Sequence, residues 1–492
     1  MHRLVRRIAP PLASLIGAAT LGGCSGLITA PHVATGLVSH QLCSATFVAG
    51  LDPESFYAQA VHPVVAPTEG LLRHTVDRDK GEVTATFAGG FSSRAVYRGP
   101  LGCVVIQGDA PAPAKLDTAP LAPDLLPPIA GPEVVTPTDP ALIAALDDSF
   151  AEPEKGPHRW TKAVVIVHDG RVIAERYAPG YGPDTPMTGW SMTKSVTNAL
   201  LGILVRQGKL RMDQPAPVAA WSDPADPHHA ITPDSLLRMA SGLDMGQSLT
   251  GQWTDAFDPT GRMVFAERDM AGFAEHAPAR WAPGAKWTYA NGNTLLLSRI
   301  VRDKVGGDAA SVYAFEHKEL FDRLGMSHTT LEMDSVGTPV GASHMWAPAR
   351  DWARFGLLYL NDGVIGGQRI LPEGWVDYSA RLTPGSENYG YGAGFWTNRG
   401  ASPATAWRVK AGMPADSFIA QGSYGQATVV IPSSHLVIVR MGYAYTPRGD
   451  MAALARLVSK TVAAVRGTQD PTANAPSAGS RIVRYRRHGG QA

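Results

Sequence analysis

Strand-like runs stand at both ends of a long stretch of this chain, and this arrangement constrains the fold more than any other feature. Residues 163–167 and 171–175 are rich in Val and Ile, and the Asp169-Gly170 pair between them is typical of a tight hairpin turn. Three more runs lie near the far end of the stretch: 416–420, 426–431 and 436–440. Because strands must pair, these distant runs predict one sheet that joins both ends of the stretch.

Helical patterns fill the interval between the two groups of strands. They cover residues 141–150, 191–207, 233–239 and 349–360, and a last one covers 450–465. Apolar residues recur in them at the spacing of one helix face. Strands and helices together predict an α+β domain over residues 141–466.

The chain before this domain has a different character. Residues 25–108 predict a small N-terminal unit that contains β-strands, with its clearest strand-like runs at 82–87 and 102–106. Residues 109–140 are crowded with Pro and Ala, which indicates a linker or a strap lying on the surface. At the other end, residues 467–492 are polar and rich in Gly, Ser and Pro, and they predict a disordered tail.

Residues 1–24 have the layout of a targeting segment. Arginines precede an apolar stretch, residues 8–20, that is too short for a comfortable membrane span. The stretch ends in Leu-Gly-Gly followed by Cys24, which resembles a bacterial lipobox. The interpretation is a lipoprotein-type signal with Cys24 lipidated, anchoring the protein on the periplasmic side of the cell envelope. An ordinary cleaved signal peptide, with a periplasmic or secreted product, is the alternative.

Cysteine usage agrees with an oxidising compartment. The chain has three cysteines, and if Cys24 carries lipid, Cys43 and Cys103 remain as a pair. These two are expected to form a disulfide in the N-terminal unit, the alternative being two buried free thiols. Neither a Cys-pair spacing nor a His-Glu-x-x-His motif is present, so no metal site and no cofactor are predicted.

Charge excludes one class of partner. Lys and Arg number 44 and Asp and Glu 43, giving a formal net charge of +1. A chain so nearly neutral has no strong field to attract nucleic acid. Contact with a membrane is expected only through a lipid on the N-terminal segment.

The pattern Ser-x-x-Lys opens the strongest helix, at Ser191 and Lys194. Positions three apart share one face of a helix, so the lysine amine can reach the serine hydroxyl. A serine hydroxyl becomes a good nucleophile only when a neighbour accepts its proton. A capped helix with a lysine one turn later is the alternative, but no other lysine of the chain has a serine three residues before it. Ser191 is therefore the candidate nucleophile.

At these residues the chain resembles a known family, the class C type of β-lactamases and penicillin-binding proteins. The matching motifs are SMTKSVTN (191–198), LLRMASGL (236–243), Pro-Gly at 283–284, DWARFGLLYL (351–360) and ILPEGW (370–375). The resemblance covers about residues 136–466 and is greatest to 6-aminohexanoate-dimer hydrolase-like amidases and esterases. It implies an antiparallel sheet flanked by helices, with an all-helical subdomain beside it and the active site in the groove between them.

The resemblance also implies a role for Tyr289, in a Tyr-x-Asn motif with Asn291. The tyrosine oxygen would lie near Ser191, with Lys194 holding its pKa down, so that Tyr289 acts as general base and then as general acid. Asn291 is predicted to face the substrate. The second Tyr-x-Asn match, at 359–361, is interpreted as core packing followed by a helix end.

The third motif of the family departs from its pattern. Where β-lactamases have Lys-Thr-Gly, this chain has Ser423-Tyr424-Gly425, predicted to bind substrate without the cation that holds a carboxylate. The resemblance implies an oxyanion hole formed by the backbone N–H groups of Ser191 and Gln426. Trp190 is predicted to face the substrate. An aromatic cluster is interpreted as core packing rather than a pocket lining: Tyr389, Tyr391, Phe395 and Trp396.

These features predict a serine hydrolase that cleaves a small-molecule amide or ester through an acyl-enzyme on Ser191. One alternative is a D,D-carboxypeptidase or β-lactamase, which the altered Lys-Thr-Gly motif argues against. Another is an inactive envelope lipoprotein that binds cell-wall fragments, which the intact Ser191, Lys194 and Tyr289 argue against. The sequence does not choose among acyl chains.

Overall fold

The computed structural model describes residues 25–68, 70–111, 114–246 and 252–469. The predicted signal segment with its lipidated Cys24 lies outside the described residues. So does most of the predicted disordered tail, from residue 470 onward. None of the described helices is both long enough and apolar enough to cross a membrane.

The N-terminal unit consists of helices followed by a four-stranded sheet. Its α-helices are α1 (Ser25–Cys43), α2 (Pro53–Phe56) and α3 (His62–Val65). Its strands are β1 (Leu72–Asp77), β2 (Glu82–Phe87), β3 (Phe91–Tyr97) and β4 (Cys103–Val105), and they pair antiparallel in chain order. A disulfide joins Cys43, the last residue of α1, to Cys103 in β4, with the two Cα atoms 6.1 Å apart.

Helix α1 is the main feature of this unit that the sequence analysis missed. Its sequence contains Pro31 and Gly36, which have poor helix propensity. Tertiary contacts stabilise the helix instead, since its residues are buried against the sheet and against the following domain. A side chain at Gly36 would collide with the backbone carbonyl of Phe265, so this glycine permits the close approach.

Residues between β4 and the next helix form a strap over the surface of the main domain. The described part of this segment, up to residue 139, contains neither helix nor strand. Leu126 and Ile129 are nevertheless buried, and the carbonyl of Ile129 accepts a hydrogen bond from the N–H of Val172 at 2.8 Å. The strap is thus attached along its length rather than free.

The main domain has a six-stranded antiparallel sheet; five of its strands correspond to the runs that the sequence predicts, and the short edge strand Trp396–Thr397 was not predicted. Its strands are β5 (Thr161–His168), β6 (Arg171–Tyr177), β12 (Trp396–Thr397), β13 (Phe418–Gln421), β14 (Ala427–Ile431) and β15 (Leu436–Gly442), in the order β12-β13-β14-β15-β5-β6. Because β15 pairs with β5, the sheet joins the two ends of the domain. The predicted hairpin turn is confirmed, with φ of +49° at Asp169 and +77° at Gly170.

Smaller strands and the helices complete the domain. The short strands are β7 (Met187–Thr188), β8 (Thr330–Leu331), β9 (Met345–Ala347), β10 (Val364–Ile365) and β11 (Gln368–Arg369). The helices of the first half are α4 (Pro140–Phe150), α5 (Thr193–Arg206), α6 (Pro233–Leu237), α7 (Pro259–Phe265), α8 (Met270–Glu275) and α9 (Asn291–Val305). Those of the second half are α10 (Ala309–Glu316), α11 (Ala349–Leu360), α12 (Trp375–Ala380), α13 (Pro403–Lys410) and α14 (Met451–Gln469).

Alternate residues of β5 face two different helical layers. Val164 and Ile166 lie in the cluster that contains α4 and α14. Val165 and Val167 lie in the larger cluster that contains α5, α9 and α11. Since both faces of the sheet are covered, β5 is apolar almost throughout. This α+β arrangement is the fold class that the sequence predicts.

A cluster of buried polar groups joins the N-terminal unit to the main domain. This junction cluster consists of His40, Ser44, Cys103, Glu332 and His344. Glu332 Oε1 accepts hydrogen bonds from the Ser44 hydroxyl at 2.7 Å and from the Cys103 N–H at 2.8 Å. Its other oxygen lies 3.0 Å from His40 Nε2, and its side chain is fully buried. Glu332 of the main domain is therefore held by three residues of the N-terminal unit.

Candidate active site

The candidate nucleophile lies in a tight turn at the start of α5. Residues Trp190–Met192 form a single 3₁₀ turn, and Trp190 has a φ of +47°, which non-glycine residues adopt rarely. Gly189 packs so closely on the ring of Trp352 that any side chain there would collide with it. The hydroxyl of Thr193 donates to the Trp190 carbonyl at 2.6 Å. These contacts fix the turn, so Ser191 is held in one orientation.

Lys194 lies one helical turn after Ser191, as the sequence predicts, and its amine is enclosed. Nζ is 3.0 Å from Ser191 Oγ, 2.7 Å from Asn291 Oδ1 and 2.8 Å from the Ala342 carbonyl oxygen. The side chain is 1% exposed. None of these three partners carries a charge. Lys194 is thus a buried amine without a counter-ion among its hydrogen-bond partners.

Burial without a counter-ion changes the acidity of the lysine. Desolvation lowers the pKa of Lys194 from its usual 10.5 to about 7. In the neutral amine, two N–H bonds can remain on Asn291 and Ala342, which leaves the lone pair directed at Ser191 Oγ. Lys194 is therefore placed and poised to accept the serine proton near neutral pH.

Tyr289 lies beside both Ser191 and Lys194. Its ring centroid is 5.0 Å from Lys194 Nζ, and its hydroxyl is hydrogen-bonded to Ser191. Burial raises the pKa of Tyr289 above its usual value of 10, and the hydrogen bond to Ser191 opposes this only in part. The expectation that Lys194 lowers the pKa of Tyr289 is wrong, because the lysine loses its own charge near neutral pH and lies over the ring face. Tyr289 is suited to donate a proton, and Lys194 to accept one.

Asn291, the first residue of α9, supports the lysine. It is 2% exposed, and its side-chain carbonyl accepts the shortest of the Lys194 hydrogen bonds. The prediction that Asn291 faces the substrate is therefore corrected, since its side chain is directed at Lys194 in the interior. By orienting the amine, Asn291 acts as a positioning residue.

The hairpin between β13 and β14 borders the nucleophile through Gly422. A side chain at Gly422 would collide with the Gly189 carbonyl, so the hairpin packs directly on the nucleophile turn. Gln426 is buried, its carbonyl accepts from the Gly422 N–H at 2.9 Å, and its side chain amide binds the backbone of Gly442 in both directions. No described contact joins Gln426 to Ser191, so a place for its N–H in the oxyanion hole stays a prediction.

The three residues predicted to replace Lys-Thr-Gly have different surroundings. Tyr424, with a φ of +61°, packs edge-on against Trp190 at 5.5 Å between ring centroids. Ser423 lies beside it at the edge of a cavity described below. Gly425 is buried, and its carbonyl accepts from Arg440 at 2.9 Å. Ser423 and Tyr424 are thus available to a ligand, whereas Gly425 is used within the protein.

Aromatic side chains surround Tyr289 and form an aromatic wall, defined here as Trp287, Tyr389, Tyr391 and Trp396. The rings of Tyr391 and Trp396 lie 5.4 and 5.3 Å from the Tyr289 ring. Tyr389 is 54% exposed and stacks on Trp287 at 4.8 Å. The sequence analysis did not identify Trp287. Residues two apart in an extended segment face the same side, so its position two residues before Tyr289 is the signal that could have found it.

Two of the remaining aromatic predictions fall in the core. Phe395 is buried and packs on Tyr359 at 4.6 Å, in agreement with core packing. Tyr359, from the second Tyr-x-Asn match, is buried in α11 and donates to Asn198 Oδ1 at 2.5 Å. Helix α11 ends at Leu360, immediately before Asn361, as the sequence predicts.

An apolar cavity of about 260 Å³ borders the nucleophile turn, and no residue of the aromatic wall lines it. Trp190, Ser423 and Tyr424 form its boundary with the nucleophile turn. The other lining residues come from the main domain and from the N-terminal unit, and no Lys or Arg is among the described ones. The described residues also contain no cluster of three or more His, Cys, Asp or Glu side chains suited to a metal ion.

Comparison with known proteins assigns most of the main domain to a family. A family model described as Beta-lactamase matches residues 146–463. A 6-aminohexanoate-dimer hydrolase from Paenarthrobacter ureafaciens is 26% identical over 238 residues, which are 44% of this chain and 56% of that protein. The match therefore spans little more than half the length of that relative.

Solved structures show the same fold. A candidate 6-aminohexanoate-dimer hydrolase from Bacillus anthracis superposes with a TM-score of 0.55 at 20% identity, covering 71% of this chain and 91% of its own. A hydrolase with promiscuous acyltransferase activity superposes with a TM-score of 0.50 at 17% identity, covering 67% of this chain and 99% of its own. About a third of this chain has no counterpart in either structure.

Proposed function

Because this chain belongs to the beta-lactamase family, we propose that it is a serine hydrolase that cleaves an amide or ester bond of a small molecule through an acyl-enzyme on Ser191. The observation that carries the proposal is the 3.0 Å hydrogen bond from Lys194 to Ser191, together with the lysine pKa of about 7. A base of that pKa is half deprotonated at neutral pH, which is the range where general-base catalysis is most effective.

Acylation begins at the hydroxyl. Ser191 Oγ forms a bond to the substrate carbonyl carbon while its proton passes to the neutral amine of Lys194. The carbonyl π electrons move onto oxygen, and the backbone N–H groups of Ser191 and Gln426 are proposed to stabilise this oxyanion. The C–N or C–O bond then breaks. Tyr289 donates its proton to the leaving amine or alcohol and receives the proton held by Lys194, so that Lys194 is neutral again.

Deacylation repeats these steps with water. Water attacks the acyl carbonyl and gives its proton to Lys194, the bond to Ser191 breaks, and the serine oxygen regains a proton. The products are a carboxylic acid and an amine or alcohol. No step requires a metal or cofactor, because the protons move only among Ser191, Lys194, Tyr289 and the reactants.

The substrate class is an ordinary amide or ester rather than a β-lactam. Ser423 stands where the family resemblance implies the lysine that holds a β-lactam carboxylate. The described lining of the neighbouring cavity has no Lys or Arg to replace it. The relative from Paenarthrobacter ureafaciens, named 6-aminohexanoate-dimer hydrolase, also favours an amide or a related ester.

A fluorophosphonate probe tests the nucleophile. The probe loses fluoride when a serine oxygen bonds to its phosphorus, and mass spectrometry should locate the added mass on the peptide that contains Ser191. A panel of nitrophenyl acetate, a linear 6-aminohexanoate dimer, nitrocefin and a D-Ala-D-Ala peptide should show turnover of the first two classes only. Absence of labelling would support an inactive binding protein, and turnover of nitrocefin would support a β-lactamase.

We also propose that the protein works in the cell envelope, anchored through lipid on Cys24. The disulfide between Cys43 and Cys103 supports an oxidising compartment. Growth with labelled palmitate should label the wild-type protein and leave a Cys24→Ser variant unlabelled. Equal labelling of both proteins, or of neither, would contradict the proposed anchor.

A further inference from the structure

The apolar cavity beside the nucleophile has walls from two parts of the chain. From the N-terminal unit, α1 supplies Ala34 and Leu37, the end of α3 supplies Val64, and β2 supplies Phe87. From the main domain, Trp190 and Phe265 face them. Most of the lining side chains are apolar, and the charged one, Asp255, accepts a hydrogen bond from the Gln252 N–H at 3.3 Å. A bound apolar group would be favoured by its removal from water.

The nucleophile turn separates the cavity from the aromatic wall. Trp190, which directly precedes Ser191, lines the cavity, as do Ser423 and Tyr424; Ser191 itself lies next to this lining and is not part of it. Neither Tyr289 nor any residue of the aromatic wall lines it. Because Tyr289 is the group that protonates the leaving amine or alcohol, the leaving group lies on the Tyr289 side. The other half of the substrate, its acyl part, then extends from the carbonyl carbon toward the cavity.

From this arrangement we propose that the cavity binds an unbranched, uncharged acyl chain, and that the N-terminal unit determines acyl specificity by supplying one of its walls. This inference rests on the proposed hydrolase function and adds the substrate class. The N-terminal unit is thus a part of the binding site and not a separate module.

Cavity size sets the length of the chain. A volume of about 260 Å³ holds about eight carbon-sized groups if each takes ~30 Å³, about the share of one water molecule. Each methylene group removed from water should improve kcat/KM about threefold to fourfold until the cavity is full. The expected optimum is therefore an acyl chain of about eight carbons, with no gain beyond that length.

A series of p-nitrophenyl esters from acetate to dodecanoate tests the inference with one constant leaving group. In the full chain, kcat/KM should rise from acetate to octanoate and then level off or fall. Ala34→Trp fills the cavity from the N-terminal unit and should lower the octanoate-to-acetate ratio at least tenfold. Phe87→Ala enlarges the cavity and should move the optimum toward decanoate or dodecanoate. Two shifts in opposite directions cannot come from general damage to the fold.

Ala58→Trp is the matched control, because Ala58 is an exposed residue of the same unit and does not line the cavity. It should keep the wild-type chain-length profile. A flat profile in the wild type, or an unchanged octanoate-to-acetate ratio in Ala34→Trp, would overturn the acyl cavity while Ser191-dependent hydrolysis of acetate still supports the hydrolase. Absence of hydrolysis at every length would overturn both.

Discussion

Two clusters of polar side chains in this protein differ in the partners that they give to an ionisable group. The reactive cluster, Ser191, Lys194, Tyr289 and Asn291, holds an amine whose three hydrogen-bond partners are uncharged. In the junction cluster, the carboxylate of Glu332 meets a serine hydroxyl, a backbone N–H and a histidine ring. The first cluster has an ionisable group poised to react, whereas the second holds a buried carboxyl group against three residues of the N-terminal unit.

The difference lies in which form of the ionisable group the surroundings favour. At Lys194, desolvation is not offset by an opposite charge, so the pKa falls to about 7 and proton transfer becomes easy. In the junction cluster, burial and the neighbouring His40 hold the pKa of His344 well below its usual value, so that ring stays neutral. Buried polar groups of the second kind stabilise one arrangement of two packed units.

The largest expected effect separates chemistry from stability. Ser191→Ala should reduce kcat for a nitrophenyl ester by about 10⁶-fold, because nothing else in the site supplies a nucleophile. The melting temperature should stay within a few degrees of the wild type. Stopped-flow or end-point ester assays and a thermal melt measure the two quantities. A control at an exposed serine away from the reactive cluster, Ser222→Ala, should keep full activity.

Tyr289→Phe tests whether the phenol contributes to proton transfer. Removing the hydroxyl should reduce kcat by about 10²–10⁴-fold, the usual contribution of a general acid or base. The loss should be greater for poor leaving groups, such as alkyl esters, than for p-nitrophenol, which leaves without protonation. An equal loss for both leaving groups would argue against Tyr289 as the acid.

Tyr359→Phe is the matched control for that variant, since Tyr359 belongs to the second Tyr-x-Asn match and lies in the core. It loses one hydrogen bond to Asn198 and should be less stable by about 1 kcal/mol. Its kcat should remain that of the wild type. If Tyr359→Phe lost activity as Tyr289→Phe does, packing rather than chemistry would explain both.

The junction cluster predicts the reverse pattern. Glu332→Ala leaves buried donors without their acceptor and should destabilise the protein by about 3–5 kcal/mol in chemical denaturation. Activity toward p-nitrophenyl acetate, measured well below the transition, should change little, because Glu332 touches no residue of the reactive cluster. Glu373→Ala, at an exposed position, should leave stability unchanged. A loss of acetate hydrolysis without a loss of stability would contradict the division between the clusters.

The smallest effect is a pH dependence. Only the neutral amine of Lys194 accepts the serine proton, and its pKa is about 7. Therefore kcat/KM for an uncharged ester should fall about tenfold for each pH unit below 7 and stay level between pH 8 and 9. Initial rates in a constant-ionic-strength buffer series measure this profile. A level profile down to pH 5 would show that Lys194 does not act as the base.

Local sequence patterns were sufficient for much of the main domain. The Asp169-Gly170 turn, the strands at both ends and the three-residue spacing of Ser191 and Lys194 depend on neighbours along the chain. The limits of α11, Ala349–Leu360, agree with the helical pattern at 349–360. Each of these features follows from side-chain periodicity or turn chemistry within a few residues.

Long-range contacts decided the rest. Helix α1 forms in spite of Pro31 and Gly36, because burial against other elements outweighs intrinsic propensity. Trp287 joins the site through contacts with Tyr389 and Tyr391, far along the chain. The cavity exists only where the N-terminal unit meets the main domain.

Spacing along the chain places a hydroxyl and an amine one helical turn apart, in a domain with strands at both of its ends. The lowered pKa of the lysine comes from the tertiary structure, which removes water from the amine and gives it only uncharged hydrogen-bond partners. Tertiary structure likewise placed the N-terminal unit against the nucleophile turn. The lysine pKa and the packing of the N-terminal unit both depend on contacts between distant parts of the chain, so residue spacing alone does not predict them.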